Sequence, residues 1–132
     1  MSQLLKSRKK VIFGFLVATT LCVIAFFSLD SLTADQFYAL TFIMGISVGY
    51  WVLFVTIAAE QFGTNLRATV ATSTPNFVRG SLVLISIVFT SLKPSLGLLN
   101  AGLTTGLLTL LLSFVGLYFV DETFHKDLDY VE

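Results

Sequence analysis

Four long apolar runs occupy most of this 132-residue chain, and they constrain its fold more than any other feature. The runs cover residues 11–29, 37–59, 68–92 and 97–120. Each reaches the length of roughly 20 residues that a helix needs to cross a bilayer core of ~30 Å. Charged residues make up only 12% of the chain, whereas a soluble domain carries about 25%. We therefore predict an all-α integral membrane protein with four transmembrane helices, a basic segment at 1–10 and a tail at 121–132.

Charge and cysteine content exclude several classes of function. The formal net charge is zero, which gives no electrostatic basis for binding nucleic acid. Cys22 is the single cysteine and lies inside the first run, so a disulfide within the chain is excluded and a metal site or other cofactor is not predicted. The sequence also lacks a soluble domain and paired catalytic groups, so we do not expect an enzyme.

The distribution of basic residues predicts the orientation in the membrane. An excess of Lys and Arg marks the cytoplasmic side of a membrane protein. The connection at 30–36 has neither residue, and the third connection has only Lys93. The other connection carries Arg67, and four basic residues precede the first run: Lys6, Arg8, Lys9 and Lys10. We therefore predict a cell (inner) membrane protein with both termini in the cytoplasm and the lipid bilayer as its surroundings.

The third run carries a polar stripe. Its members are spaced so that they share one helical face: Thr72, Asn76, Arg79, Ser86 and Thr90. Pro75 removes one helix hydrogen bond and frees the carbonyl of Ala71, which predicts a kink or a bound water beside the stripe. This face should contact protein or water rather than lipid.

Arg79 is the only basic residue deep inside a run. Twelve residues separate it from Arg67, or about 18 Å of helix, which places it near the middle of the bilayer core. An arginine there costs ~2.5–3.5 kcal/mol on insertion scales, so it needs a partner. Asn76, one turn earlier, can accept one of its hydrogen bonds. A substrate contact and a structural hydrogen-bond hub between helices are both open for Arg79.

Small residues and the lack of polar groups predict how the other runs pack. The first run, 11–29, has few polar residues, so we expect a peripheral helix facing lipid over much of its surface. Gly45 and Gly49 have the spacing that allows two helix backbones to approach closely. The fourth run begins with a small-residue face that should pack against a neighbouring helix, formed by Gly97, Ala101, Gly102 and Gly106.

Three segments resemble the major facilitator superfamily. The connection Ala59-Glu60-x-Phe62-Gly63-Thr64-x-x-Arg67-Ala68-Thr69 resembles the family's A-E-x-F-P-T-x-x-R-A/G-T segment, which joins helices ten and eleven on the cytoplasmic side. Gly63 stands where the family usually has proline. Asn76-Phe77-Val78-Arg79 is similar to an N-x-x-R pattern in helix eleven of bacterial metabolite porters. The end of the chain, from Asp121-Glu122-Thr123, looks like the closing P-E-T-x-G-K/R-x-L-E-x-I-E, with Asp121 and His125 replacing proline and glycine. The start, Ser7-Arg8-Lys9-Lys10, resembles more weakly the family's basic loop between helices eight and nine.

The resemblance implies helices nine to twelve of a twelve-helix transporter. Such a protein would move a small solute, a sugar or an organic acid, by alternating access, together with amino-terminal helices absent from this sequence. The coupling ion, proton or sodium, cannot be placed, because no Asp or Glu lies inside a run. In the family, helix ten lines the substrate cavity, which makes Thr41, Tyr50 and Trp51 candidates alongside Asn76 and Arg79. Interfacial anchoring or core packing is the alternative for the first three.

The resemblance also implies a cytoplasmic gate at the second connection. Glu60 and Arg67 are predicted to act as a latch, either with each other or with neighbouring charges. The alternative is that Arg67 only marks the cytoplasmic side.

Two other functions stay open from the sequence. One is an independent four-span protein of the size of the small multidrug exporters, which place a glutamate inside the first span. Residues 11–29 contain no such group, which weighs against that hypothesis. The other is a membrane scaffold that transports nothing.

Overall fold

The computed structural model describes residues 7–29 and 31–123, and this part of the chain is helical, without a β-strand. Four helices follow one another: α1 (Arg8–Ser28), α2 (Ala34–Ser47), α3 (Trp51–Glu60) and α4 (Thr64–Phe119). Three stretches are long and apolar enough to cross a membrane: Arg8–Ser28, Ala34–Glu60 and Thr64–Phe119. The all-α class and the presence of such helices are confirmed. Lys6 of the basic segment, Asp30 and residues 124–132 of the predicted tail lie outside the described residues.

Side-chain caps set the starts of the first two helices. Ser7 precedes α1, and its hydroxyl accepts a hydrogen bond from the backbone N–H of Lys10 at 3.2 Å. Thr33 and Gln36 form a reciprocal capping box before α2, with distances of 3.4 and 3.0 Å. The box begins α2 at Ala34, earlier than the predicted 37, because its first turn is polar and hydropathy does not reveal it.

The second predicted span is interrupted in its middle. Residues 48–50 form a turn between α2 and α3, in which Gly49 N–H donates to the carbonyl of Ile46 at 3.0 Å. An ideal Cβ at position 49 would lie 3.0 Å from that same oxygen, a tight contact that favours glycine in the turn. The hydroxyl of Ser47 also donates to the carbonyl of Ile43 at 2.9 Å, a bond that tends to bend helices. The prediction of one continuous helix over 37–59 was therefore wrong.

The 56-residue α4 folds back on itself at Gly97. A straight helix of that length would measure about 84 Å, far more than a bilayer core. Gly97 has φ 75°, a left-handed conformation that glycine adopts without strain. Phe89 lies 3.9 Å from the Cβ position of Gly102, and Val78 and Gly116 line one cavity. Residues 64–96 and 98–119, here called α4a and α4b, therefore lie alongside each other in opposite directions.

The break in α4 differs from the predicted connection. Residues 93–96 were predicted to join two spans, but they continue α4a, and Pro94 lies inside the helix. Pro75 also lies inside the helix with helical backbone dihedral angles, and the kink or bound water predicted beside it stays a prediction. The chain reverses at Gly97 and not at Pro94. A proline inside a helix removes one hydrogen bond, whereas the left-handed dihedral angles of Gly97 end the helix there.

Helix α1 lies at the centre of the packing. It contacts α2, α3 and α4, and its Ile12 and Leu16 form the buried core with Ile57. Six partly buried residues surround them: Tyr50, Leu53, Leu110, Phe114, Leu117 and Val120. The predicted peripheral position does not fit these contacts, but Phe13, Leu21 and Ile24 of α1 are exposed, as expected of a helix that faces lipid over part of its surface.

Small residues of α4b allow its close contact with α1. Ala101 is fully buried, the Cβ position of Gly102 lies 3.2 Å from the Phe27 ring, and that of Gly106 lies 3.7 Å from Val23. Three of the four predicted small residues thereby form a packed face, whereas Gly97 lies at the reversal and nothing lies within 4 Å of its Cβ position. Gly45 makes no comparable approach within the described part of the chain, since nothing lies within 4 Å of its Cβ position.

Large apolar side chains cover the outer surface. Phe42 on α2 is 72% exposed and Phe77 on α4a is 80% exposed. Water-soluble monomers rarely expose contiguous apolar surface on this scale. These faces are suited to lipid or to further helices.

Candidate functional site

Three segments that are distant in sequence meet at one end of the bundle. They are the start of α1, the end of α3 and the residues that follow α4. We call this group the charged junction, and its members are Ser7, Arg8, Lys9, Glu60, Gln61, Asp121, Glu122 and Thr123. The apolar core lies directly beneath it, since Ile12 and Ile57 are each about one helical turn from the junction.

Glu60 is the buried charge of the junction. It is 6% exposed and forms an ion pair with the guanidinium of Arg8. The hydroxyl of Thr123, itself 1% exposed, donates to Glu60 Oε2 at 2.7 Å. A buried carboxylate without such partners would be strongly unfavourable. Glu60 therefore connects the end of α3 to both ends of the described chain.

Glu122 caps helix α1 from the other end of the chain. Its carboxylate accepts hydrogen bonds from the Arg8 N–H at 3.0 Å, the Lys9 N–H at 3.2 Å and the Ser7 hydroxyl. These N–H groups belong to the first turn of α1, where no helix carbonyl is available to them. A negative charge at a helix amino terminus is also favoured by the helix dipole.

Two further hydrogen bonds connect the same segments. The Lys9 ammonium donates to the carbonyl of Tyr118 at 3.2 Å, in the last turn of α4, where a positive charge is favoured. The side-chain amide of Gln61 donates to the carbonyl of Asp121 at 2.9 Å. The two ends of the described chain are thus held at the same end of the bundle.

Arg67 lies near the junction and contacts the connection before α4. It is half-buried, and its Nη2 lies 3.4 Å from the carbonyl of Phe62. It shares an open groove with Glu60, lined also by Val55, Thr56, Ala59, Thr64, Ala68 and Ala71. The ion-pair partner of Glu60 is nevertheless Arg8. The prediction gave Glu60 either Arg67 or another neighbouring charge as its partner, and in the structure the partner is the neighbouring charge of Arg8.

Two of the five predicted cavity residues line an internal cavity. Tyr50 and Trp51 border a space of about 350 Å³ between α1, α3 and both halves of α4. Its walls are mainly apolar and include Ile12, Leu16 and Leu117. Tyr50 and Trp51 lie where α3 begins, so the break at 48–50 places both at the cavity.

The other three predicted residues lie on outer faces. Thr41 is exposed on α2, and its hydroxyl donates to its own helix, to the carbonyl of Phe37 at 2.8 Å. Asn76 and Arg79 are exposed on α4a. Arg79 Nη1 donates to Asn76 Oδ1 at 3.2 Å, so the predicted hydrogen bond between them is present. The structure thus divides the five residues between an internal cavity and outer helix faces.

Sequence reasoning missed the partners of Glu60. Arg8 was assigned only to the basic segment, and Thr123 only to the tail. One signal was available, because the segments around Glu60 and Thr123 resemble motifs of one family and the segment around Arg8 resembles one of its loops more weakly. The capping of α1 by Glu122 could not be predicted from the sequence, since it depends on the return of α4b to the start of α1.

Comparisons with protein-family profiles, with curated proteins and with solved structures find no match to this chain. A function must therefore be argued from the residues and their geometry.

Proposed function

We propose that this chain forms the carboxy-terminal four helices of a secondary active transporter of the major facilitator type. The complete protein would move a small solute, a sugar or an organic acid, across the cell membrane by alternating access. The observation that carries the proposal is the contact of Arg8, Glu60 and Thr123. The segments of Glu60 and Thr123 each resemble a motif of that family, the segment of Arg8 is a weaker match to its basic loop between helices eight and nine, and the fold brings the three together.

The four spans of this proposal are α1, α2 with α3, α4a and α4b. The chain would cross the membrane four times, with the turn at Gly97 on the side opposite the charged junction. An even number of crossings returns the end of the chain to the side where it began. The contacts of Ser7 and Arg8 with Glu122 and Thr123 support this arrangement. The basic residues before α1 favour the cytoplasm for that side.

The charged junction would act as the cytoplasmic gate. Alternating access requires contacts at one membrane face that hold helix ends together and can be exchanged for others. The Arg8–Glu60 ion pair holds the start of α1 against the end of α3, and Thr123 adds the end of α4b. Arg67, which lines the same groove as Glu60, is positioned at the edge of this gate.

Topology follows directly from the proposal. Single cysteines should be introduced at Ser2 and at Ser31 in a Cys22→Ser background and labelled with a membrane-impermeant thiol reagent. In intact cells, Ser31→Cys should react and Ser2→Cys should be protected until the membrane is permeabilised. Labelling of Ser2→Cys in intact cells, with protection of Ser31→Cys, would contradict the cytoplasmic assignment.

Transport itself is tested at the native gene. Deleting the gene should abolish uptake of at least one labelled sugar or organic acid. Glu60→Gln and Arg67→Gln at the same locus should each lower that uptake while membrane insertion is retained, with a larger effect for Glu60. Wild-type uptake in both variants would contradict the proposed gate.

The purified 132-residue chain distinguishes the proposal from an independent four-helix transporter. The family's cavity lies between two six-helix halves, so the purified chain in lipid vesicles should give no saturable uptake above empty vesicles. Saturable uptake by this chain alone would favour the independent four-helix protein.

A further inference from the structure

Arg79 combines a membrane-depth charge with a single hydrogen bond. It is exposed on α4a, and in the described part of the chain its guanidinium donates one hydrogen bond, from Nη1 to Asn76 Oδ1 at 3.2 Å. None of the eight acidic residues of the sequence falls inside the four apolar runs. An arginine at this depth is not stable against lipid. Among the described residues Arg79 forms no ion pair, so we look for its counter-charge outside this chain.

Three other polar side chains of the stripe donate hydrogen bonds to backbone carbonyls of their own helix. The Thr72 hydroxyl donates to the carbonyl of Thr69 at 2.9 Å, and the Thr90 hydroxyl donates to the carbonyl of Ser86 at 2.7 Å. The Asn76 amide donates to the carbonyl of Thr72 at 3.3 Å. Arg79 is the charged member of the stripe, and its guanidinium has more N–H groups than the one bonded to Asn76, so a compact anion is a suitable further partner.

The geometry of the pair favours a carboxylate. Asn76 engages Nη1 and so restrains the guanidinium, while the edge formed by Nε and Nη2 makes no hydrogen bond within the described part of the chain. That edge presents two parallel N–H groups, which match the two oxygens of a carboxylate. A second copy of this chain supplies no such group, because the same face would bring another arginine and no acid.

We propose that Arg79, oriented by Asn76, is a carboxylate-binding site, and that its ligand is the transported solute. The solute is then an organic acid rather than a neutral sugar. The identification of the ligand rests on the proposed transport function, whereas the carboxylate site can be measured without it.

Arginine side-chain NMR on the full 132-residue chain tests the site. The chain has three arginines, so a sample labelled with ¹⁵N-arginine in lipid nanodiscs gives few Nε–H signals, and Arg79→Lys identifies the relevant one. Benzoate is the probe, and benzamide is its neutral counterpart of the same shape. We expect the Arg79 signal to shift saturably with benzoate and to stay unchanged with benzamide.

Variants on the same face separate binding from a general change of structure. Asn76→Ala should weaken benzoate binding by about tenfold, as expected when an oriented hydrogen bond to a charged group is lost. Ser86→Ala, on the same exposed face, should leave the affinity unchanged. An affinity unaltered by Asn76→Ala would contradict the orienting role of Asn76.

Failure of the site and failure of the transport proposal give different results. An Arg79 signal that does not respond to benzoate, or responds equally to benzamide, overturns the site even if gene deletion abolishes uptake of a solute. In that case a helix outside this chain supplies the carboxylate. If the purified chain binds benzoate specifically but deletion of the gene changes no uptake, the site stands and the transport proposal is overturned. If deletion of the gene abolishes the uptake of neutral sugars alone, the transport proposal stands and the organic-acid assignment is overturned.

Discussion

Replacing Glu60 by glutamine should destabilise the purified chain by about 2–3 kcal/mol. Breaking a buried ion pair costs about 3–5 kcal/mol when the remaining charge stays buried. The Arg8 side chain is 19% exposed, so water can partly solvate it and reduce the loss. Glutamine keeps the volume and can still accept from Thr123, which limits the effect to the ion pair. The measurement is the free energy of unfolding in detergent micelles, followed by circular dichroism.

A double-mutant cycle isolates this interaction. The free energies of unfolding of Arg8→Gln, Glu60→Gln and the double variant are compared with that of the wild type. The loss in the double variant should differ from the sum of the two single losses by more than about 1 kcal/mol, as it does for contacting residues. Asp35→Asn is the matched control, because Asp35 is an exposed acid in the first turn of α2 and should cost less than about 1 kcal/mol. Additive effects of Arg8→Gln and Glu60→Gln would show that the ion pair does not contribute.

Replacing Gly102 by leucine should destabilise the packing of α1 against α4b by about 2 kcal/mol. The Cβ alone would lie 3.2 Å from Phe27 Cζ, 3.3 Å from its Cε1 and 3.9 Å from Phe89 Cε2, closer to the Phe27 ring than an ordinary van der Waals contact. Phe27 must change conformation or the helices must separate, and overpacking of this kind costs about 1–3 kcal/mol. The same unfolding measurement applies, with near-ultraviolet circular dichroism to follow the aromatic environment.

Gly14→Leu is the control for the change in helix propensity. Gly14 lies on an exposed face of α1, and nothing lies within 4 Å of its Cβ position. Leucine should be neutral or stabilising there, because glycine costs about 0.5–1 kcal/mol in a helix interior. Equal stability of the two leucine variants would contradict the close contact of Gly102 with Phe27.

Hydropathy predicted the helical class and the approximate extent of the helices, because both depend on local composition. It did not predict the turn at 48–50 or the reversal at Gly97. Each has a glycine at its centre, Gly49 or Gly97, and hydropathy does not distinguish these two from Gly45, which lies inside a helix. The small-residue face of α4b was predictable, since close helix contact requires the absence of side-chain volume.

The candidate site was predictable only in part. Glu60 could be singled out because it follows a long apolar run, and the Asn76–Arg79 hydrogen bond because the two residues are one turn apart. The partners of Glu60 were not predictable from spacing, since Arg8 and Thr123 lie 52 residues before and 63 residues after it. Contacts over such separations are set by the return of α4b to α1.

The distance between the two ends of the described chain tests the central claim most directly. Spin labels at Lys10→Cys and Phe119→Cys, both exposed, in a Cys22→Ser background, report on the charged junction by pulsed electron paramagnetic resonance. Lys10→Cys with Leu98→Cys is the control pair and should span about 30 Å, roughly the length of α1. The junction pair should give a distinctly shorter, narrow distribution, which becomes broader and longer in Glu60→Gln. A junction-pair distance as long as that of the control, or one unchanged by Glu60→Gln, would contradict the account.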